Sequence, residues 1–349
     1  MCAVNTRPID ALLLVSFGGP EAPEDVIPFL ENVTAGRGIP RERLDQVAEH
    51  YRVFGGRSPI NDQNRELVDA IRKDFAENGV DIPVYWGNRN WDPYLRDALR
   101  QMADDGVRRA AYFLTSAYSS YSGCRQYREN LFDANAGIDL GLSRLRLYFN
   151  HPGFVAPFID ATSEALAGAP DATHVVFVTH SIPVDMNAGS GGPGAHAYER
   201  QHAEVARLIA DECGAAAYTL AYCSRSGAPH QPWLEPDVND HLRELAADGV
   251  TSVVVVPIGF VSDHMEVVFD LDTEAAQTAA ELDMEYQRVA TPGVHPAFVA
   301  MVRDLVLERA AADRGETVES SVVGVCTPNP ERCGDDCCPN LRLALPAVP

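Results

Sequence analysis

The chain alternates short apolar runs with stretches of helical periodicity. Leu12–Phe17, Val84–Trp86, Ala110–Leu114, Leu145–Tyr148, Val175–Val178, Ala216–Ala221, Ser252–Ile258 and Tyr286–Ala290 have the length and the β-branched or aromatic content of buried strands. Helical patterns separate most of them, over Asn64–Phe75, Pro93–Ala103, Ala197–Ala210 and Val238–Ala247. Strands alternating with helices predict βαβ units and a mainly parallel sheet. The pattern also repeats. Trp91–Val107 and Leu234–Val250 share Pro, Asp, Leu, Arg, Ala, Asp, Gly and Val in register, and Leu12–Pro20 echoes Val175–Pro183 as strand, turn and proline. The echoes keep the same order in both halves. This implies two similar α/β lobes in tandem, residues 1–155 and 156–320, followed by a cysteine-rich tail over 321–349.

The repeat indicates where chemistry sits. His180 takes the place of Phe17, and Ser262-Asp263-His264 takes the place of Ser119-Ser120-Tyr121. One half therefore offers the rings of Phe17, Tyr118 and Tyr121 at its loop positions. The other offers the titratable His180, Asp263, His264 and Glu266. A cleft between such lobes has a greasy wall and a proton-active wall, which suits a flat, largely apolar ligand that exchanges protons. The second wall begins where the strand Val253–Val256 ends, the place where α/β proteins put their sites. Glu266, Asp270 and Glu274 then follow at spacings of four, so a helix aligns them as a ladder about 12 Å long. A solvated acidic face is the bland alternative. The histidine that opens the run and its position at a strand end favour a site.

Composition narrows the partners. A net charge of −22 argues against nucleic acid and against an anionic membrane surface. No apolar run reaches the roughly 18–20 residues of a membrane span, and the first strand begins too early for a signal peptide, so a soluble cytoplasmic protein is expected. Within this acidic chain Arg37, Arg41, Arg43, Arg52 and Arg57 fall in one 21-residue stretch that runs into the turn Gly55-Gly56-Arg57-Ser58-Pro59. They read either as a cradle for ligand carboxylates or as surface residues paired with Glu42, Asp45 and Glu49. Ser116–Tyr127 mixes hydroxyls and rings and could line a pocket. Gly189–Gly194 is glycine-rich without a lysine, a loop at the cleft rim rather than a phosphate cradle. Nothing matches a dinucleotide fingerprint.

Half of the eight cysteines crowd the tail, at Cys326, Cys333, Cys337 and Cys338. Four thiolates match the ligand count of an iron–sulfur or zinc site. The paired knuckles of common zinc sites are missing, which puts a [2Fe–2S] cluster first, zinc second and a redox disulfide last. Cys124, Cys213 and Cys223 read as buried thiols.

The segments LLLVSFGGP, YRVFGGRSP, VTHSIP, AYCSRSGAPHQPWLEP and above all GFVSDHMEVVFDLDTE resemble the ferrochelatase family, in the family's order over nearly the whole chain. The cysteines resemble its [2Fe–2S]-carrying members, and the whole is most similar to soluble bacterial coproporphyrin III ferrochelatases. The resemblance implies a chelatase-like fold of two Rossmann- or flavodoxin-like lobes with a porphyrin cleft between them. It implies insertion of Fe²⁺, as substrate, into a porphyrin. His180 would be the catalytic histidine and Glu266 its carboxylate partner, with Asp270 and Glu274 continuing the path for iron or protons. Ser58, an arginine among Arg37–Arg43, Arg52 and Tyr127 would hold propionates, while Phe17, Tyr118, Tyr121 and Trp233 would grip the ring. Three departures stand out. Phe17 replaces a tyrosine found in some bacterial members. Ala156 stands where relatives supply a mid-chain cluster ligand, so the tail would supply all four ligands unless Cys124 replaces one. The apolar lip of mitochondrial members is not evident. Five arginines near the turn favour coproporphyrin over protoporphyrin IX. The expected partners are the porphyrin and, transiently, neighbouring enzymes of haem synthesis, with the chain itself a monomer. Rival readings are a cobalt or nickel chelatase for a more polar tetrapyrrole, and a non-catalytic haem- or iron-binding redox sensor.

Overall fold

The computed structural model describes residues 4–36, 38–226 and 230–341. Its strands are the apolar runs. β1 (Ala11–Ser16) and β7 (Ser252–Val256) are buried at every position, as is nearly all of β5 (His174–His180). Strands covered on both faces carry continuous rather than alternating apolar residues, the mark of a parallel sheet. With β2 (Val84–Asn88), β3 (Arg109–Leu114) and β4 (Gly141–Arg144), β1 forms a sheet of order β2-β1-β3-β4. With β6 (Tyr218–Cys223) and β8 (Glu285–Arg288), β5 and β7 form a second sheet of order β6-β5-β7-β8. All pairings are parallel. Each sheet starts at its second strand, steps to one edge, then crosses back and runs to the other. The direction reverses between β1 and β3 and again between β5 and β7, and a crevice opens at the carboxyl end of each reversal.

The helices, in chain order, are α1 (Val26–Val33), α2 (Arg41–Val53), α3 (Ile60–Glu77), α4 (Leu95–Asp104), α5 (Gln126–Asn135), α6 (Pro152–Ala167), α7 (Val184–Ala188), α8 (Ala197–Cys213), α9 (Val238–Ala247), α10 (Met265–Phe269), α11 (Ala276–Glu281) and α12 (Pro296–Asp313). The sequence repeat is a structural repeat. α4 buries Leu95, Leu99 and Met102, α9 buries Val238, Leu242 and Leu245, and each is followed by a glycine, Gly106 at φ +87° and Gly249 at φ +88°. That left-handed turn stops both helices and suits glycine, which has no Cβ to clash.

One expected strand is displaced. Leu145–Tyr148 is buried, but the pairing with β3 runs from Arg109↔Gly141 to Tyr112↔Arg144. The apolar residues lie just beyond the ladder, where the chain dives into the core. Burial marked the core there rather than the strand.

Each sheet packs a cluster of its own on one face, and a larger core on the other face is shared by both lobes. The shared core runs from Leu12, Leu14 and Phe113 through Tyr148, Phe154 and Phe298 to Phe177, Val254 and Val256. α12 returns from the second sheet to the first lobe, where Arg303 pairs with Asp74 of α3 at 2.8 Å. The described residues of the tail form no helix or strand and are held by side chains. Asn150 binds the Cys326 carbonyl at 2.9 Å, Arg144 the Pro330 carbonyl at 2.6 Å and Arg125 the Asp335 carbonyl at 2.7 Å. Cys338 N–H donates to the Gly189 carbonyl at 3.0 Å, and the Asn340 amide reaches the Tyr121 hydroxyl at 2.6 Å. Among the described residues no helix is long and apolar enough to cross a membrane.

Candidate active site

His180 ends β5, opposite Cys223 of β6 in the sheet register. The Tyr198 hydroxyl donates to its carbonyl at 2.8 Å, and Ser181 N–H donates to the Cys223 carbonyl at 2.8 Å, which fixes the strand end. The ring Nδ1 lies against the Ser181 carbonyl. A carbonyl only accepts, so Nδ1 carries a proton and Nε2 is left for chemistry. Nε2 sits 3.2 Å from Glu266 Oε1. Glu266 is the second residue of α10, whose first turn His264 caps by accepting Glu266 N–H on Nδ1 at 3.2 Å. The other nitrogen of His264 lies 3.6 Å from Glu266 Oε2. One carboxylate therefore stands between two imidazoles, at the reversal point of the second sheet.

Burial lowers the pKa of His180, but the Glu266 charge and hydrogen bond outweigh it and push it up to about 9. Burial likewise raises Glu266, and the two histidines override it, holding it down to about 2. The pKa of His264 is lowered, with burial the leading cause. His180 and Glu266 thus form an ion pair at neutral pH, facing solvent across a Glu266 side chain that is 47% exposed.

The acidic ladder is built differently from a straight α-helix. At Asp270 the coil widens into a π-helical turn, Asp270–Ala275, a distortion common at functional sites. Val267 and Leu271 point into the core. The Asp270 carboxylate accepts from the Ser224 hydroxyl. Burial, with the charges of Glu266 and Glu274, pushes Asp270 up to about 7. Asp270 rather than Glu266 is the acid raised towards neutrality, because Glu266 has two imidazoles beside it and Asp270 mainly a hydroxyl. Asp263 turns away, to Arg288 at 3.3 Å and Thr291 at 3.1 Å. Glu274 is exposed. α2 closes over this helix, with His50 stacked on Phe269 at 3.8 Å between ring centroids. The Tyr51 hydroxyl is raised by burial and by the nearby Glu266 and Asp270.

The aromatic wall is partly as expected. Phe17 is half-buried at the end of β1. The Arg89 guanidinium lies over its ring at 5.7 Å and over Tyr127 at 4.4 Å, with Nε on Asn130 at 2.7 Å. Arg89 went unnoticed in the sequence, although it directly follows a strand end, the signal that had singled out His180. Tyr118 does not line a cleft. It is 3% exposed, stacks on His202 at 3.5 Å and donates to the Ile258 carbonyl at 3.0 Å. It bridges the lobes from inside, because the shared core continues beneath the loop. Tyr121 donates to Glu129 at 2.9 Å. Trp233 is half-buried beside Pro183, with its indole N–H unpartnered.

The arginine cradle is not assembled. Arg37 lies outside the described residues. Arg41 pairs with Glu31 at 2.8 Å and Asp45 at 3.1 Å, Arg52 with Glu49 at 2.7 Å and Arg57 with Asp62 at 2.5 Å, while Arg43 binds Gln46 at 3.0 Å. All are exposed, the surface alternative. Ser58 is buried, with its N–H on the Pro20 carbonyl at 2.9 Å. Two surface depressions, one lined by Arg72, Phe75 and Tyr85 and one by Glu31, Ile39 and Leu44, lie away from His180.

The thiols regroup. Cys333 is within hydrogen-bonding reach of Cys124 and Cys337, and the sulfurs of Cys337 and Cys338 are 3.6 Å apart. Arg144 reaches the Cys124 sulfur at 2.9 Å and the Cys333 sulfur at 3.4 Å, and Gly191 N–H reaches the Cys338 sulfur at 3.4 Å. Hydrogen bonds from Cys124 and Cys337, aided by Arg144, hold the Cys333 thiol well below its ordinary pKa. Cys326 is set apart, beside Glu204, Arg200 and Arg207. The tail therefore does not gather all four of its thiols. The partner of the other three is Cys124, read from the sequence as a buried thiol and, under the resemblance, as the alternative to one tail ligand. Among the described residues no group of three or more His, Cys, Asp or Glu is arranged to hold a metal ion.

Residues 9–310 match the family model described as Ferrochelatase. The chain is 57% identical over 364 residues to the coproporphyrin III ferrochelatase of Streptomyces coelicolor, covering 99% of this chain and 97% of the relative. It is 51% identical over 338 residues to the ferrochelatase of Rhodopirellula baltica, covering 95% and 93%. Among solved structures it is similar to the sirohydrochlorin chelatase SirB of Bacillus subtilis subspecies spizizenii in complex with cobalt. The TM-score is 0.53 at 12% identity, over 88% of this chain and 97% of that one, a likeness of fold alone. With the family match spanning both sheets and relatives more than half identical almost from end to end, the chain belongs to the ferrochelatase family of lyases.

Proposed function

We propose that this protein inserts Fe²⁺ into coproporphyrin III, with His180, Glu266, Asp270 and Glu274 as the residues that move protons and receive the metal. The observation that carries the chemistry is the 3.2 Å pair of His180 and Glu266 at a strand-end crevice. The choice of porphyrin is supported by the names of relatives 57% and 56% identical along 99% of this chain. The exposed arginines, each engaged with a neighbour, give it little support. Arg89, over Phe17 and Tyr127 and without an ion pair among the described residues, is a better-placed cation for a ligand carboxylate.

Metallation removes two pyrrole protons as Fe²⁺ enters, with no change of oxidation state. In the free protein His180 already holds a proton, so it must hand that proton on before it accepts one. Asp270, with its pKa near 7, can take up and release a proton at working pH, and the exposed Glu274 leads towards solvent. Imidazole and carboxylates are also suitable ligands for Fe²⁺ shedding its water. Anaerobic assay of the purified protein with Fe²⁺ and each porphyrin tests this. Coproporphyrin III should have the higher kcat/KM. A preference for protoporphyrin IX would favour the protohaem alternative, and tight haem binding without metallation of either would favour a non-catalytic sensor.

We also infer that Cys124, Cys333, Cys337 and Cys338 hold a [2Fe–2S] cluster. What supports the reading is the ligand count: four thiols lie in a run of contacts, partly neutralised by Arg144 and by the Gly191 N–H, and would have to draw together around the cluster. When bound, such a cluster supplies a redox-active centre and a cross-link between the tail and the first lobe. Arg144 offsets thiolate charge, and Arg125 holds the tail carbonyls of Asp335 and Cys337 in place. The visible absorption of freshly isolated protein, with iron and sulfide analysis, tests the assignment.

A further inference from the structure

We propose that Ser224 is a positioning residue for metal insertion: its hydroxyl tethers the Asp270 carboxylate beside the His180–Glu266 pair. This rests on the reading of His180, Glu266 and Asp270 as the insertion site. Three neighbouring strand ends meet there. His180 closes β5, Ser224 follows β6 directly, and Glu266 and Asp270 follow β7. Cys223 is the register partner of His180, so Ser224 lies one step beyond the catalytic strand end.

Two observations converge on the serine. Its hydroxyl donates to Asp270 Oδ2 in a close contact. The Cys223 sulfur is also within reach, at 3.3 Å. A hydroxyl has one proton, and a carboxylate is the stronger acceptor. Its backbone is at φ +62°, in the left-handed region that glycine adopts freely and serine does not. The strained conformation aims the side chain at Asp270, and strain of this kind collects where a side chain must be placed.

The tether has electrostatic work to do. Asp270 lies between the carboxylates of Glu266 and Glu274, both of which act on it electrostatically. Like charges drive an unrestrained carboxylate away from its neighbours. The hydroxyl holds one oxygen of Asp270 fast, and the other is the one that would meet the metal.

The test is Ser224→Gly. Glycine suits this backbone, so the variant should fold with a Tm at or above that of the wild type. Steady-state kinetics then vary Fe²⁺ and coproporphyrin III separately, and fluorescence quenching measures porphyrin Kd. The expected result is a roughly ten-fold loss of kcat/KM for Fe²⁺, the size of one hydrogen bond to a charged group, with porphyrin Kd unchanged. In an Asp270→Asn background the same substitution should add less than about two-fold, as expected for a residue acting through Asp270. The proposal is overturned by unchanged iron kinetics or by a full additional effect without Asp270. It is also overturned by weakened porphyrin binding with normal iron kinetics, which would make Ser224 a holder of a substrate carboxylate. A wild type that metallates neither porphyrin overturns the underlying function together with this role.

Discussion

Glu266 cannot be understood apart from the rings on either side of it. His180 alone would be an ordinary imidazole lowered by burial, and beside Glu266 it is a cation up to pH about 9. In Glu266→Gln, burial regains the upper hand. The His180 midpoint should fall towards its ordinary 6.5, as followed by imidazole chemical shifts in an NMR titration. The sign of the stability effect follows. The raised His180 contributes fully below about pH 6.5, and its contribution fades as pH rises through about 9. The depressed Glu266 contributes above about pH 4.5 and loses it as pH falls through about 2. The Tm difference between wild type and Glu266→Gln should therefore be widest between about pH 4.5 and 6.5. His180→Ala should still quench porphyrin fluorescence on binding, yet lose about 10²–10⁴-fold in kcat for iron insertion, the usual contribution of a positioned acid–base group. Undiminished turnover would remove His180 from the mechanism.

At the scale of elements, the four-residue acid spacing and Val238–Ala247 were both legible, because helix periodicity is local. The switch at Asp270 from an α-helix to a π-turn was not. It depends on what α10 packs against, including His50 brought in from α2. The thiols teach the same lesson. Spacing alone grouped Cys326 with Cys333, Cys337 and Cys338. Arg144, Arg125 and Gly189, which bind the tail's carbonyls and one backbone N–H, instead bring the last three onto Cys124. Cys124→Ser should strip the cluster absorption, while Cys326→Ser should keep it. The reverse pattern would restore the all-tail ligand set. The repeated helix stop has its own prediction. Gly249→Ala forces a Cβ into a left-handed turn and should cost about 1–2 kcal/mol in urea unfolding.

For the whole molecule, the decisive feature is the core shared by both sheets, beside the cluster each sheet keeps on its other face. Phe154 of α6 is fully buried against Tyr118, Tyr148, Phe158 and Phe298, which come from both halves of the chain. Phe154→Ala should cost about 3–5 kcal/mol. Unfolding should remain one transition seen alike by circular dichroism and tryptophan fluorescence, since each sheet has one whole face in the shared core. Two separated transitions would mean that the lobes stand independently. The shared core also explains Tyr118. Its place in the loop after β3 invited a role in the porphyrin wall, and the inter-lobe packing claimed it instead.

The chain by itself determined the strand–helix alternation, the internal repeat and hence two sheets of the same winding. Those rest on local periodicity and on which residues can be buried on both faces of a strand. It also placed His180 and Glu266 at strand ends, because the end of an apolar run is readable. Tertiary structure alone decided which charges face one another. It put a second imidazole, His264, on Glu266, a serine on Asp270, Arg89 over Phe17 and Tyr127, and Cys124 among the tail thiols. Electrostatic partners depend on distances between elements far apart in the chain, and no local pattern of residues encodes those distances.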